Sequence, residues 1–411
     1  MQMNAKDSDL KKRLANYVVP VGTIALQAIA IVFLNTPGSM KYSITLVIVT
    51  LCIIVGVNRI RINRKSTPQN QILLLFLPFL FLAIQGIVVA IAKHPEFVNE
   101  AAKQAMMYVF PFFLSGALMA FSKRDCQTIN VQFAVLALLF IFSSARNVYG
   151  GEPLESTMAF SFGLFTLYYL YKRHLSLSAF SFILLFIADK RIATFACVLA
   201  IGVFLITRYK RKNGKILALI YICFLACIFL YNYLISTGQL DLLFSSYGIN
   251  SMGRIGLYSL FADDIHAFFS VSASSFGQGS GYVLSTMSLL NAPAGNLHND
   301  WLGIMIEYGR IGTLVFVALN AFFVFSTVKN QDGKWSAPRT AAIVCIFVYW
   351  QTVWLTDNVT IYILNLFSFY SIMITLIRSQ NVEYIDFCTK EMQAVEACRT
   401  DQRKGLKYGA N

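Results

Sequence analysis

The chain is dominated by apolar runs of about 15–25 residues separated by short polar turns, the length a helix needs to cross a bilayer. Runs at 17–34, 42–57, 72–92, 102–121, 129–144, 157–170, 177–188, 193–206, 216–234, 301–327, 341–355 and 361–377 predict helices. A β-barrel would instead show alternating segments of about ten residues. The pattern therefore predicts an all-α, polytopic integral membrane helical bundle of about twelve transmembrane helices. One interval breaks the rhythm. Residues 236–299 are moderately polar, rich in Ser, Gly and aromatic residues and low in charge, which favours a folded external cap over a solvated tail. Within it, 254–269 carries apolar residues at helical spacing. Residues 1–377 read as one transmembrane domain containing this loop, and 378–411 as a hydrophilic cytoplasmic tail.

Composition agrees with the pattern. Of 411 residues, 57% are hydrophobic and only 13% charged, against about 25% charged in soluble domains. The first apolar run follows Lys6, Lys11, Lys12 and Arg13 and lacks a small-residue cleavage site, so a retained signal anchor is expected. Pro78 and Pro111 fall inside predicted helices and are expected to kink them.

The net charge of +14 raises the question of nucleic acid, and its distribution answers it. With the N-terminus inside, the heaviest cationic loops (59–65 and 208–215) fall on the cytoplasmic side, as the positive-inside rule requires. Membrane lipids, not nucleic acid, are the expected partner of this charge. The eight cysteines fall in helices or on the cytoplasmic side, so no disulfide framework is expected. Cys223 and Cys227 share a helix face, but without His or carboxylate neighbours they predict no metal site.

On this topology, eight Lys and Arg remain outside: Lys41, Lys93, Lys103, Arg146, Lys190, Arg191, Arg254 and Arg310. Ionisable groups near membrane depth are costly unless paired or facing water, which makes them functional candidates. Asp189-Lys190-Arg191 separates two apolar helices with almost no loop. It reads either as a tight charged turn or as Arg191 opening a helix with its guanidinium in a cavity. Arg254 lies four residues before Tyr258, on the same helical face, and is either a solvated interfacial residue or part of a site. Asp357, between the last two helices, is a turn residue or a partner for an arginine or for histidine. By topology Arg191, Arg254, His298 and Asp357 share one membrane face.

His298 stands in Asn296-Leu297-His298-Asn299-Asp300, which runs directly into the helix ending at Gly309-Arg310-Ile311-Gly312. A histidine titrates near neutrality and can take a proton from a hydroxyl. Asp300 is the alternative base, or a helix cap. Arg310 either faces a cavity or pairs with Glu307 at i, i+3. A metal would need more His and carboxylate ligands than His266 and Asp263-Asp264 supply, so none is expected.

A His-Asn pair, nine residues, then Gly-x-x-Gly resembles the signature of the bacterial O-antigen polymerase and O-antigen ligase superfamily. Two further elements resemble that family: Gly253-Arg254 with Tyr258, and the glycine-rich Gly277-Gln278-Gly279-Ser280-Gly281-Tyr282. The recognisable motifs span roughly 185–365. The resemblance implies an inner-membrane glycosyltransferase, with no cofactor, acting at the periplasmic face on an undecaprenyl-pyrophosphate-linked oligosaccharide. It implies pyrophosphate binding by Arg191 and Arg254, catalysis by His298, and support from Asp357, Asp300, Asn299 and Tyr258. It also implies glycines in the loop that let backbone approach a phosphate or sugar. The Gly-Arg-x-x-x-Tyr and His-Asn-Asp-Trp-Leu wording favours a polymerase, which extends a lipid-linked repeat unit and can work with a chain-length regulator. A ligase would transfer to lipid A–core. A polysaccharide flippase is the non-enzyme alternative, against which stand the clustering of candidates on one face and the lack of an internal repeat.

Overall fold

The computed structural model describes residues 69–121, 125–150, 155–208, 214–247, 254–270, 275–292, 297–329, 336–360 and 362–378. The expected helices at 17–34 and 42–57, and the tail beyond Arg378, lie outside the described residues. Among the described residues the protein is all-helical, with no strand. The long elements are α1 (Gln69–Lys93), α2 (Val98–Phe121), α3 (Asp125–Gly150), α4 (Ala159–Tyr171), α5 (Leu175–Ile187), α6 (Arg191–Thr207) and α7 (Gly214–Ser236). Four short helices follow: α8 (Gln239–Ser246), α9 (Arg254–Ser259), α10 (Ala262–Phe269) and α11 (Tyr282–Leu289). The chain then forms α12 (Asp300–Lys329), α13 (Ser336–Val353) and α14 (Ile363–Arg378). Four spans (Asn70–Lys93, Gln127–Ala145, Gly214–Ser236 and Asp300–Lys329) are long and apolar enough to cross a membrane.

The outer helices expose apolar stripes at helical spacing. Examples are Ile84, Val88 and Ile91 on α1, Ile183, Phe186 and Ile187 on α5, and Phe195, Val198 and Leu199 on α6. Water would penalise such continuous surfaces, whereas hydrocarbon accepts them. The interior has a different character. Both α13 and α14 are buried almost all round, and polar side chains bridge helices there. Ser161 donates to Asn365 at 2.7 Å, Ser371 to Ser115 at 3.1 Å, and Tyr349 reaches the carbonyl of Phe160 at 3.0 Å. Such interhelical hydrogen bonds hold bundles together where apolar packing alone has no advantage over lipid. Aromatic packing fills the rest, with Trp350 stacked on Phe369 at 4.9 Å and Phe316 on Trp354 at 6.0 Å.

Among the described residues of 236–299, those of α9, α10 and α11 pack against the first half of α12. Leu257, Tyr258, Phe261, Ile265, Val283 and Met287 form a second small core with Leu297, Leu302 and Ile306. The apolar spacing at 254–269 resolves into two helices, α9 and α10.

Pro78 and Pro111 lie inside α1 and α2, but the non-helical break falls in α12 at Gly309 (φ 62°, ψ −168°). The break releases backbone groups that the segment before α11 satisfies. Gln278 N–H donates to Ile306 C=O at 3.0 Å, Gly279 N–H to Glu307 C=O at 2.8 Å, and Ile311 N–H to Ser275 C=O at 2.9 Å. Backbone left bare at this depth would cost several kcal/mol per group. Gly277 (φ 70°) faces Gly309, and a methyl carbon at either would collide with the other's backbone.

The glycines at 277, 279 and 281 bring the loop against protein backbone at α12, α1 and α2. We expect Gly309→Ala and Gly277→Ala each to destabilise the protein by more than about 2 kcal/mol, from left-handed strain plus collision. Thermal unfolding in detergent checks this, with Gly202→Ala on α6, where an added methyl meets open space, as the neutral control.

Candidate functional site

The turn entering α12 is built by two adjacent polar residues with different tasks. Asn299 is the helix cap: its side-chain oxygen accepts Leu302 N–H at 3.0 Å, and its amide donates to Asn232 on α7 at 3.1 Å. Asp300 is not the cap. Its buried carboxylate accepts Thr360 N–H at 2.9 Å and the Thr360 hydroxyl at 2.8 Å, while its own N–H donates to Trp354 C=O at 2.9 Å. These three bonds tie residues 299–300 to the segment following α13.

His298, in left-handed conformation (φ 53°) and partly exposed, precedes this junction. Its Nδ1 lies 3.7 Å from Oδ1 of Asp357, and Asp357 Oδ2 lies 3.2 Å from Lys190 Nζ. Lys190 also pairs with Glu155, and Asn358 N–H donates to Asp357 at 2.8 Å. Burial alone would push the Asp357 carboxyl up. The His298 contact, the Lys190 charge and the Asn358 N–H outweigh it and hold Asp357 below the usual carboxylate range. Burial works against the charged form of Lys190 too, yet Asp357 and Glu155 raise it above the usual lysine range.

The other candidates are placed unequally. Arg191 is the first residue of α6, as expected, but it is exposed, and its neighbour Lys190 takes the ion pair with Asp357. The expected arginine partner of Asp357 is therefore a lysine. Arg254 opens α9 and lies close to Tyr231 and Tyr258. The Tyr258 hydroxyl is buried beside Tyr231 and Asn299, and burial pushes it well above the ordinary phenol range. Arg254, Tyr258 and Asn299 thus form a second line of contacts reaching the same turn. The sequence leaves the i, i+3 pair of Glu307 with Arg310 as one of two open readings, and the Glu307 carboxylate is engaged elsewhere. It accepts Gln104 at 2.7 Å and Val283 N–H at 3.2 Å, and the Gly309 break disrupts the helical register between the two residues.

A cavity of about 460 Å³ opens beside the turn. Leu297, Asn299, Asp300, Gly303 and Glu307 line one wall, Asn358 and Thr360 another, and Lys103, Gln104 and Tyr108 of α2 a third. His298 and Asp357 are not in the lining, although Leu297 and Asn299 on either side of the histidine and Asn358 next to the aspartate are.

Sequence reasoning passed over Lys190, Glu155, Gln104 and Thr360, and considered Glu307 only as a partner for Arg310. A signal existed for Lys190: the charged turn was recognised but credited to its arginine. Nothing in the sequence pairs Thr360 with Asp300 or Gln104 with Glu307. Among the described residues, no group of three His, Cys, Asp or Glu is arranged to hold a metal ion. Compared with family models, curated proteins and solved structures, the chain matches none.

The Lys190–Asp357 pair has a defined pH window. Asp357 is depressed, so its contribution is full above about pH 4 and is lost as pH falls through its lowered value. Lys190 is raised, so its contribution is full below about pH 10 and is lost as pH rises through its elevated value. Lys190→Met should lower stability by about 1–3 kcal/mol between these limits. Thermal unfolding in detergent should show the gap between wild type and variant narrowing below about pH 4.

Proposed function

We propose that this chain is a polytopic inner-membrane glycosyltransferase of the O-antigen polymerase and ligase type, with about twelve spans and its site on the periplasmic face. The observation that carries the reading is the histidine at the start of α12 with Nδ1 against a buried carboxylate and a cavity one residue away. A carboxylate on Nδ1 fixes the imidazole orientation and leaves Nε2 to accept a proton, the arrangement a general base needs.

In the proposed reaction an acceptor hydroxyl attacks the anomeric carbon of an undecaprenyl-pyrophosphate-linked glycan. The new glycosidic C–O bond forms as the bond to the pyrophosphate breaks, and the pyrophosphate leaves with the electron pair. The hydroxyl proton passes to His298, and attack from the opposite face inverts the anomeric centre. Arg254, beside Tyr258 and Asn299, and Arg191, at the exposed start of α6, supply guanidinium groups for the leaving pyrophosphate. Energy comes from the pyrophosphate linkage, so no nucleotide is consumed. The acceptor that fits the motif wording best is a second lipid-linked repeat unit, which makes the activity a polymerase.

Deleting the gene and resolving lipopolysaccharide on a gel tests the acceptor. Core carrying a single repeat supports the polymerase, whereas bare core with accumulated lipid-linked polymer replaces it by the ligase. In detergent, His298→Ala should reduce turnover by about 10²–10⁴-fold at normal abundance. Full activity in that variant would end the assignment.

A further inference from the structure

Asp300, Gly303, Ile304 and Glu307 occupy one face of α12, at i, i+3, i+4 and i+7. All four line the cavity. Gly303 is the anomaly among them. A glycine inside a helix costs about 1 kcal/mol relative to alanine. Gly86, Gly163 and Gly312, also inside helices, have a packing reason in the side chains a Cβ would strike, but a Cβ built on Gly303 meets nothing within 4 Å. Packing within the protein therefore gives no reason for glycine here. Bare backbone between two carboxylates on a cavity wall suits a ligand that lies flat against the helix.

The charge of the lining narrows the ligand. Its acidic and basic residues are Glu100, Asp300 and Glu307 against Lys103 alone, and Lys103 is already paired with Glu100. A pyrophosphate or an acidic sugar would meet three carboxyl groups and a single lysine that one of them already pairs. A neutral polyhydroxyl ring meets the opposite situation. Its hydroxyls find carboxyl acceptors in Asp300 and Glu307, and its C–H face finds Ile304 and Tyr108. A volume of about 460 Å³ lies within the usual range for small-molecule sites.

We propose that this cavity is a subsite for an uncharged sugar residue, with Gly303 as its floor and Asp300 and Glu307 as its hydroxyl acceptors. The subsite deepens the glycosyltransferase reading and rests on it for the identity of the substrate. It places the sugar beside His298 and keeps the pyrophosphate outside this cavity. Glu307 and Asp300 keep their structural bonds and use their remaining lone pairs, so they bind without being remade.

The test uses purified full-length protein in detergent and a panel of methyl glycosides of neutral hexoses and N-acetylhexosamines, with methyl glucuronide and inorganic pyrophosphate for comparison. Binding is read by saturation-transfer NMR and by ligand-induced thermal stabilisation. At least one neutral glycoside should bind, Gly303→Ala should weaken it modestly, and Gly303→Leu should weaken it by at least about tenfold. Both variants should unfold close to the wild-type temperature. If Gly303→Leu does not fold, the alanine variant still decides, because neutral-glycoside binding equal to wild type overturns the proposal. So does preferential binding of the glucuronide, competition between pyrophosphate and the neutral glycoside, or absence of any neutral binding.

Turnover separates this proposal from the one it rests on. Gly303-dependent sugar binding without turnover of any lipid-linked glycan keeps the subsite and removes the transferase. Turnover that Gly303→Leu leaves intact keeps the transferase and removes the subsite.

Discussion

The geometry around His298 depends on one buried carboxylate that is not part of the His–Asp contact. Asp300 holds Thr360 through both its N–H and its hydroxyl, and Asp300 N–H holds Trp354, so the start of α12 and the segment after α13 are locked in register. A buried carboxylate stripped of these donors would carry its full desolvation penalty, so the protein has a strong incentive to keep the two segments together. His298 and Asp357 face each other because their neighbours are tied. The same lock brings Asn299 and Asn358 to the lining of one cavity.

The second constraint acts further along α12. A helix passing through a low-dielectric region cannot break without a partner for its freed backbone, and the break at Gly309 is filled by residues 275–279. Lys93 of α1 adds a bond to Gly277 C=O at 2.6 Å, and Gln85 donates to Tyr308 C=O at 3.0 Å. The loop before α11 is thereby fixed to both α12 and α1. Glu307 completes the arrangement by holding Gln104 of α2 and the N-terminus of α11. The elements around the cavity are anchored by backbone hydrogen bonds across the Gly309 break and by the side chains of Gln85, Lys93, Asp300 and Glu307.

The helical pattern was legible because apolar runs respond to lipid, and ten expected helices coincide with observed ones to within a few residues. The contact of His298 with Asp357 was legible as well, since both sit at helix ends brought to one face by topology. What the pattern hid were relations without periodicity. Lys190 and Arg191 are adjacent and chemically alike, and only the direction of the α5–α6 turn decides which meets Asp357. The glycine-rich segment was legible only as a resemblance, and its close packing against the backbone of α1, α2 and α12 leaves no periodic trace in the sequence. Asn299 and Asp300 are both competent caps by residue type, and the choice between them rests on Thr360, sixty positions away in the chain.

The charge layout gives the proposed chemistry its division of labour. Lys190 neutralises Asp357 from the side opposite His298, so the carboxylate stays ionised despite burial and can orient the imidazole without being protonated itself. Arg191 and Arg254 are not among the residues lining the cavity, whose ionisable side chains are three carboxyls and one lysine. A sugar pyrophosphate has a neutral part and a dianionic part, which prefer opposite surroundings. A site with acceptors in a pocket and cations beyond its rim orients such a molecule end to end, with the bond between the two parts at the boundary. In the proposed site, His298 lies in the chain between two residues of the cavity wall, Leu297 and Asn299. A flippase would gain nothing from separating the two environments so sharply, because transport needs one site that accepts the whole head group at both faces. A transferase needs the separation, because the bond it breaks is the one that joins the two parts.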